Sequence, residues 1–107
     1  MMYRKMTIQQ MRIAKGMTQT EVTMLSGIPL STLAGWERGE RVPRSLTAFN
    51  KLLRFYGVEL SFDALQRLCV ALDCGTPASK IKFYVPSEEV ERWLKNSTSE
   101  SSGSANE

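Results

Sequence analysis

The stretch Thr18–Gly39 constrains the fold most, because it carries the start and stop signals of two short helices. Thr18 is followed three residues later by Glu21, the capping-box spacing, so a helix is predicted to begin at Gln19. Gly27 is predicted to end it, since glycine readily takes the positive φ found at helix C-termini. The result is a helix of about two turns, and its predicted inward side consists of Val22 and Leu25.

The second helix of this stretch is predicted to run from about Pro29 to Arg38. Proline has a fixed φ that suits the first turn of a helix, and Gly39 supplies the stop signal. Helical spacing turns Leu33 and Trp36 inward with Ile28. The same spacing leaves four residues for the outer face: Leu30, Ser31, Ala34 and Gly35.

Two interpretations of this pair of helices stay open on geometry alone. Two helices joined by a short turn with glycine can pack nearly at right angles, and the second can then project into the major groove of DNA. The same caps and apolar positions also fit an ordinary helical hairpin of an all-α protein.

The residues TQTEVTMLSGIPLSTLAGWERG resemble the Cro and phage-repressor type of helix-turn-helix. The matching residues are Thr18, Gln19, Val22, Gly27, Ile28, Leu33, Trp36, Glu37 and Gly39, and the resemblance extends from Met11 to about Leu60. It implies an all-α, compact five-helix repressor-like domain and a dimeric repressor of transcription that binds double-stranded DNA. The family usually has a small polar residue at the position of Pro29 and alanine at the position of Thr23.

The resemblance also implies roles for individual residues. Phosphate positioning falls to Gln19, Arg38, Arg41 and Arg44, and base reading to Leu30, Ser31, Thr32, Ala34 and Gly35. Arg12 and Glu37 are expected to form a structural ion pair. The base-reading set contains no Arg, Asn or Gln, the residues that make strong bidentate contacts with bases, so direct readout is predicted to be weak.

Charge and composition agree with a nucleic-acid partner and give no support for an enzyme. Residues 1–60 hold nine Lys/Arg against four Glu, a net charge of +5, whereas residues 61–107 hold five basic and seven acidic residues, a net charge of −2. There is no histidine, and neither a nucleophile motif nor a phosphate-cradling glycine loop is present. No catalytic residue, cofactor or metal site is therefore expected. Cys69 and Cys74 are expected to be reduced, partly buried thiols, with a disulfide as the alternative.

The remaining helices carry similar start signals. Thr7 and Gln10 repeat the capping-box spacing, so the first helix of the chain is predicted to end near Lys15. Ser45 and Ser61 are each placed to cap a helix, and the segments that follow share a weak period of sixteen residues. Either segment resembles the fourth helix of the family; the loop spacing favours the first. The DNA-binding domain is then predicted to be residues 1–73.

Residues 74–95 are predicted to form a strand and helix extension. Residues 81–85 alternate as a short strand does, and it must pair either with the N-terminal segment or across a two-fold axis. Ser87 is expected to cap a last helix, with Trp93 on an apolar face that serves as a core lid or as a docking surface. The alternative function is thus an antitoxin or coregulator that binds a toxin or another regulator through residues 81–95.

The two ends of the chain show no comparable helix signals. Residues 1–5 are expected to be either a DNA-contacting arm or a frayed terminus. The tail 96–107 is Ser-rich without an apolar run and is expected to be disordered. With no apolar run of membrane-spanning length and no signal peptide, a cytoplasmic location is expected.

Overall fold

The computed structural model describes residues 2–105, and the side chains of residues 2–96. It contains six α-helices and a two-stranded sheet within that part of the chain. In chain order the elements are β1 (Tyr3–Met6), α1 (Ile8–Ala14), α2 (Gln19–Ser26), α3 (Leu30–Arg38), α4 (Leu46–Phe55), α5 (Phe62–Asp73), a 3-10 turn (Ala78–Lys80), β2 (Phe83–Pro86) and α6 (Ser87–Ala105).

The helix start signals of the first half act as predicted. Thr7 and Thr18 each form a complete capping box at the start of α1 and α2, and Ser45 caps α4 through its hydroxyl. At the end of α2, Gly27 takes a left-handed conformation with φ of 81°. The turn between α2 and α3 is therefore determined by local chemistry.

One detail of α2 differs from the prediction. Val22 is fully buried, but Leu25 is 70% exposed, and Ser26 is buried in its place. Ser26 lies one full turn after Val22 and shares its face, whereas Leu25 falls to the side of that face. Burial of the serine hydroxyl is tolerated because it accepts a hydrogen bond from the Ile28 amide at 3.2 Å.

The hydrophobic core is centred on α4, which confirms the first of the two repeated segments as the fourth helix. Phe49, Leu52, Leu53 and Tyr56 are all fully buried. The Phe49 ring meets Trp36 of α3 edge-on, with 5.3 Å between ring centroids, and lies 6.1 Å from Phe83 of β2. Helix α3 and the C-terminal extension thus share one core.

Helix α5 is far more exposed than its sequence suggests. Only Leu68 of its apolar positions is buried, Phe62 is 74% exposed, and both Cys69 and Cys74 are free and exposed. The expectation of partly buried cysteines is therefore wrong. The physical reason is competition for core space: β2 and α6 supply the apolar side chains that complete the core, so α5 buries little.

The N-terminal segment is a strand rather than an arm. β1 pairs with β2 in an antiparallel register that places Arg4 opposite Val85 and Met6 opposite Phe83. Of the two pairings left open for the predicted strand, the intramolecular one forms. The strand begins at Phe83, two residues later than predicted, since the 3-10 turn and its flanking residues occupy the preceding positions.

The extension is built into the core. Val85 and Val90 are almost completely buried and Trp93 is 8% exposed, so the face proposed as a docking surface is a core lid. Helix α6 continues to Ala105, through most of the segment predicted to be disordered. Extending a nucleated helix adds a hydrogen bond per residue at low cost, and no proline interrupts it after Pro86. Residues 106–107 lie outside the described residues.

Candidate nucleic-acid interface

The position of α3 is held by an ion pair between α1 and the end of α3. The guanidinium of Arg12 donates to both carboxylate oxygens of Glu37, at 2.8 Å and 2.9 Å. The Arg12 side chain is 13% exposed and that of Glu37 only 1%. A bidentate, largely buried pair of this kind restricts both distance and angle. The predicted structural pair is present and joins α1 to α3.

Two further hydrogen bonds complete this cluster. Arg12 donates a third bond to the Met17 carbonyl at 2.8 Å, and the side-chain amide of Gln19 donates to Glu37 at 3.0 Å. The hydrogen bond to Glu37 raises the pKa of Arg12. Gln19, predicted as a phosphate contact, thus uses one of its amide N–H bonds inside the protein. Its second side-chain N–H and its backbone N–H are the groups left for a phosphate.

The first turn of α3 is the exposed part of this helix. Leu30 is 45% exposed, Ser31 is exposed and Thr32 is half-buried. No side chain caps the start of the helix at Pro29, so the first N–H groups remain available as anion-binding donors. A major-groove helix uses its N-terminal residues to contact base edges, and this turn has the required exposure.

Two of the five predicted base-reading residues are not exposed. Ala34 and Gly35 are both buried, so the expectation that they are open to a base is wrong. At Gly35 the covering group is identified: a Cβ built there would lie 2.8 Å from Cδ and 2.9 Å from Cγ of Arg41. The loop after α3 folds back over the helix, which sequence spacing could not show.

The three predicted phosphate-binding arginines after α3 differ in their partners. Arg38 donates to both carboxylate oxygens of Glu40, at 3.0 Å and 3.1 Å, in a pair whose side chains are about 60% exposed. These hydrogen bonds raise the pKa of Arg38 and lower that of Glu40. Arg41 and Arg44 are exposed, and among the described side chains neither has a carboxylate within 4.0 Å. Within the described residues, Arg41 and Arg44 are therefore the arginines of this loop whose positive charge is not paired with a carboxylate.

One further cation lies near the interface and was not predicted from the sequence. The Lys51 ammonium of α4 lies 3.5 Å from where a Cβ of Gly27 would be, which places it beside the turn between α2 and α3. Its only sequence signal is a basic residue on the polar side of α4. Its location adds positive charge next to the turn that joins α2 and α3.

The comparisons with known proteins agree with this geometry. The helix-turn-helix family model matches residues 8–63, a span from the start of α1 into α5. The chain belongs to the Cro/C1-type helix-turn-helix family. No curated protein and no solved structure is significantly similar to it.

As a member of this family, the protein is a DNA-binding regulator. Helices α2 and α3 form its helix-turn-helix. Thr23, a departure from the family pattern, has a buried hydroxyl without a hydrogen-bond partner in the described part of the chain.

None of the helices within residues 2–105 has the length and apolar content needed to cross a bilayer.

Proposed function

We propose that this helix-turn-helix protein is a sequence-specific transcriptional repressor that binds duplex DNA as a homodimer. The main support is the exposed first turn of α3, together with Arg41 and Arg44 in the loop that follows this helix; among the described side chains neither has a carboxylate within 4.0 Å. A helix start whose N–H groups are not capped by a side chain, and arginines without a carboxylate partner among the described residues, suit the binding of duplex DNA.

Contacts are assigned by what each group can donate. Arg38, Arg44, Gln19 and the first N–H groups of α3 bind phosphates. Leu30, Ser31 and Thr32 meet base edges, where hydroxyl groups can donate or accept and the leucine methyl groups can contact thymine. Glu40 neutralises Arg38 in the free protein, so the phosphate contact of Arg38 requires that pair to rearrange.

A second copy of the chain is expected to dock through the exposed apolar side of α5, which includes Phe62 and Val70. Two copies related by a two-fold axis would recognise a palindromic site with half-sites about 34–36 Å apart. Replacing Phe62 with Glu should convert a dimer on DNA to a monomer in size measurements and weaken binding to the full palindrome far more than binding to one half-site. Equal losses on both would contradict this interface.

The experiment that tests DNA recognition is selection of bound duplexes from a random pool, followed by affinity measurements at several salt concentrations. One sequence class should be enriched, and the logarithm of the binding constant should fall linearly with that of salt. Arg44→Ala should reduce the slope by about 0.9 per half-site, hence about 1.8 for the dimer, and weaken all sequences alike, whereas Ser31→Ala should change preference at the same slope. Salt-independent affinity, or a pool without enrichment, would refute the proposal.

Repression itself has a separate readout. A reporter whose promoter overlaps the selected site should be transcribed less when the protein is present, and Arg44→Ala should restore its transcription. Increased transcription from the same arrangement would show an activator instead.

A further inference from the structure

The contact between Gly35 and Arg41 is unusual because nothing in the helix requires glycine there. Gly35 lies inside α3 and is not among the glycines with positive φ. The three atoms nearest to a Cβ built at Gly35 all belong to the Arg41 side chain: Cδ at 2.8 Å, Cγ at 2.9 Å and Nε at 3.3 Å. The two shortest of these distances are below 3.0 Å, which is closer than a Cβ atom in a protein approaches a nonbonded atom of another residue. Glycine at this position therefore leaves the space that the arginine stem occupies.

The backbone of the loop holds Arg41 in that place. Gly39 ends α3 in the left-handed conformation, with φ of 78°, and turns the chain back toward the helix. The N–H groups of Glu40 and Arg41 then both donate to the Gly35 carbonyl, at 3.0 Å and 3.2 Å. The arginine stem consequently starts next to Gly35 and crosses the helix surface there.

This surface is the side of α3 that carries Ser31. Ser31 and Gly35 are four residues apart, so they lie one above the other on the same helix face. The Arg41 side chain is exposed and, within residues 2–96, has no carboxylate partner within 4.0 Å. The exposed turn of α3 offers no side chain able to bind a base with two hydrogen bonds, and Arg41 supplies one beside it.

We propose that Arg41 is the main base-reading side chain of this protein and that it recognises guanine in the major groove. Its guanidinium would donate two hydrogen bonds to the O6 and N7 atoms of one guanine in each half-site. Gly35 has a positioning role, since it lets the arginine lie flat on α3. This inference rests on the proposed function, because it requires α3 to enter the major groove.

The first test separates base reading from phosphate binding by keeping the charge. Arg41→Lys retains the positive charge but not the planar fork of donors. On the selected duplex it should lose about tenfold or more in affinity and lose the preference for guanine at one position of each half-site, while the salt slope stays unchanged. Arg44→Lys is the matched control and should leave the base preference intact.

A modified base gives an independent readout on the DNA side. Replacing that guanine with 7-deazaguanine removes the N7 acceptor and should weaken binding of the wild-type protein but not further weaken Arg41→Lys. A wild-type protein insensitive to this change would show that Arg41 binds a phosphate or the minor groove, and would overturn the inference.

Gly35→Ala tests the positioning role. The added methyl group should displace the arginine stem and reduce guanine preference, while urea unfolding shows a fold at least as stable. Combining it with Arg41→Ala should add no further loss of preference, and a full additional loss would contradict the role of Gly35. If the wild-type protein selects no duplex, the proposed function fails; if it selects one that Arg41→Lys reads equally well, only the present inference fails.

Discussion

The prediction with the largest expected effect on stability concerns Glu37→Gln. The change is nearly isosteric, but it removes the negative charge opposite Arg12. It also turns an amide donor toward a guanidinium that donated to both carboxylate oxygens, at 2.8 Å and 2.9 Å. Gln19, which donates to the same carboxylate at 3.0 Å, loses part of its interaction as well.

The magnitude follows from burial. Removing one member of a fully buried ion pair costs about 3–5 kcal/mol, because the remaining charge is left without a partner. Arg12 keeps its bond to the Met17 carbonyl and 13% exposure, so the lower end, about 3 kcal/mol, is expected. For a domain of this size that loss lowers Tm by roughly 12–24 °C.

The assay is urea unfolding followed by the fluorescence of Trp36 and Trp93, both of which are buried. The midpoint should fall and the slope of free energy against urea concentration should not change. Glu40→Gln is the control, because it removes an equivalent bidentate pair that is largely exposed, and no measurable change is expected. A loss below about 1 kcal/mol for Glu37→Gln would refute the view that this pair anchors α3.

Two further substitutions test the core. The Tyr56 hydroxyl is buried without a hydrogen-bond partner among the described residues, so Tyr56→Phe should raise the unfolding free energy by about 1 kcal/mol at neutral pH. Burial also raises the pKa of Tyr56 above its usual 10.0. Above about pH 10 the folded state therefore keeps a proton that the unfolded chain releases, so the stability of the wild-type protein should fall as the pH rises. In parallel urea titrations this fall should be steeper than that of Tyr56→Phe. Equal pH dependence of the two proteins would contradict this reasoning. Trp93→Ala should lower the free energy of unfolding of the full chain by about 3–5 kcal/mol, measured by circular dichroism during urea unfolding. The reason is that Trp93 closes the core and lies under the Lys15 ammonium, which is 4.6 Å from the ring centroid. A loss below about 1 kcal/mol would instead indicate a docking surface.

The burial of the extension changes how its role is understood. A strand and helix whose apolar side chains were free would favour a protein partner, as the antitoxin or coregulator hypothesis requires. Here Phe83, Val85 and Val90 complete the same core that supports α3, and the apolar side chains left exposed include Phe62 and Val70 of α5. A partner that bound the side chains of Phe83, Val85 or Val90 would therefore require part of the core to open.

Sequence alone determined the elements whose signals are local. The capping boxes at Thr7 and Thr18 and the glycine at Gly27 involve residues within four positions of one another, so the pattern specifies the geometry. The family resemblance added the Arg12–Glu37 pair, which the structure confirms. These features account for the bihelical unit and for its exposed first turn.

Tertiary structure decided which apolar and charged side chains are exposed. Several apolar faces compete for one small core. No local sequence pattern predicts that β2 and α6 fill this core while most of the apolar face of α5 stays outside it. The Arg41 stem reaches Gly35 only because the chain reverses at Gly39 and bonds back to the helix. The sequence therefore predicted where α3 is, and the packed chain determined that an arginine outside this helix lies on the face that carries Ser31.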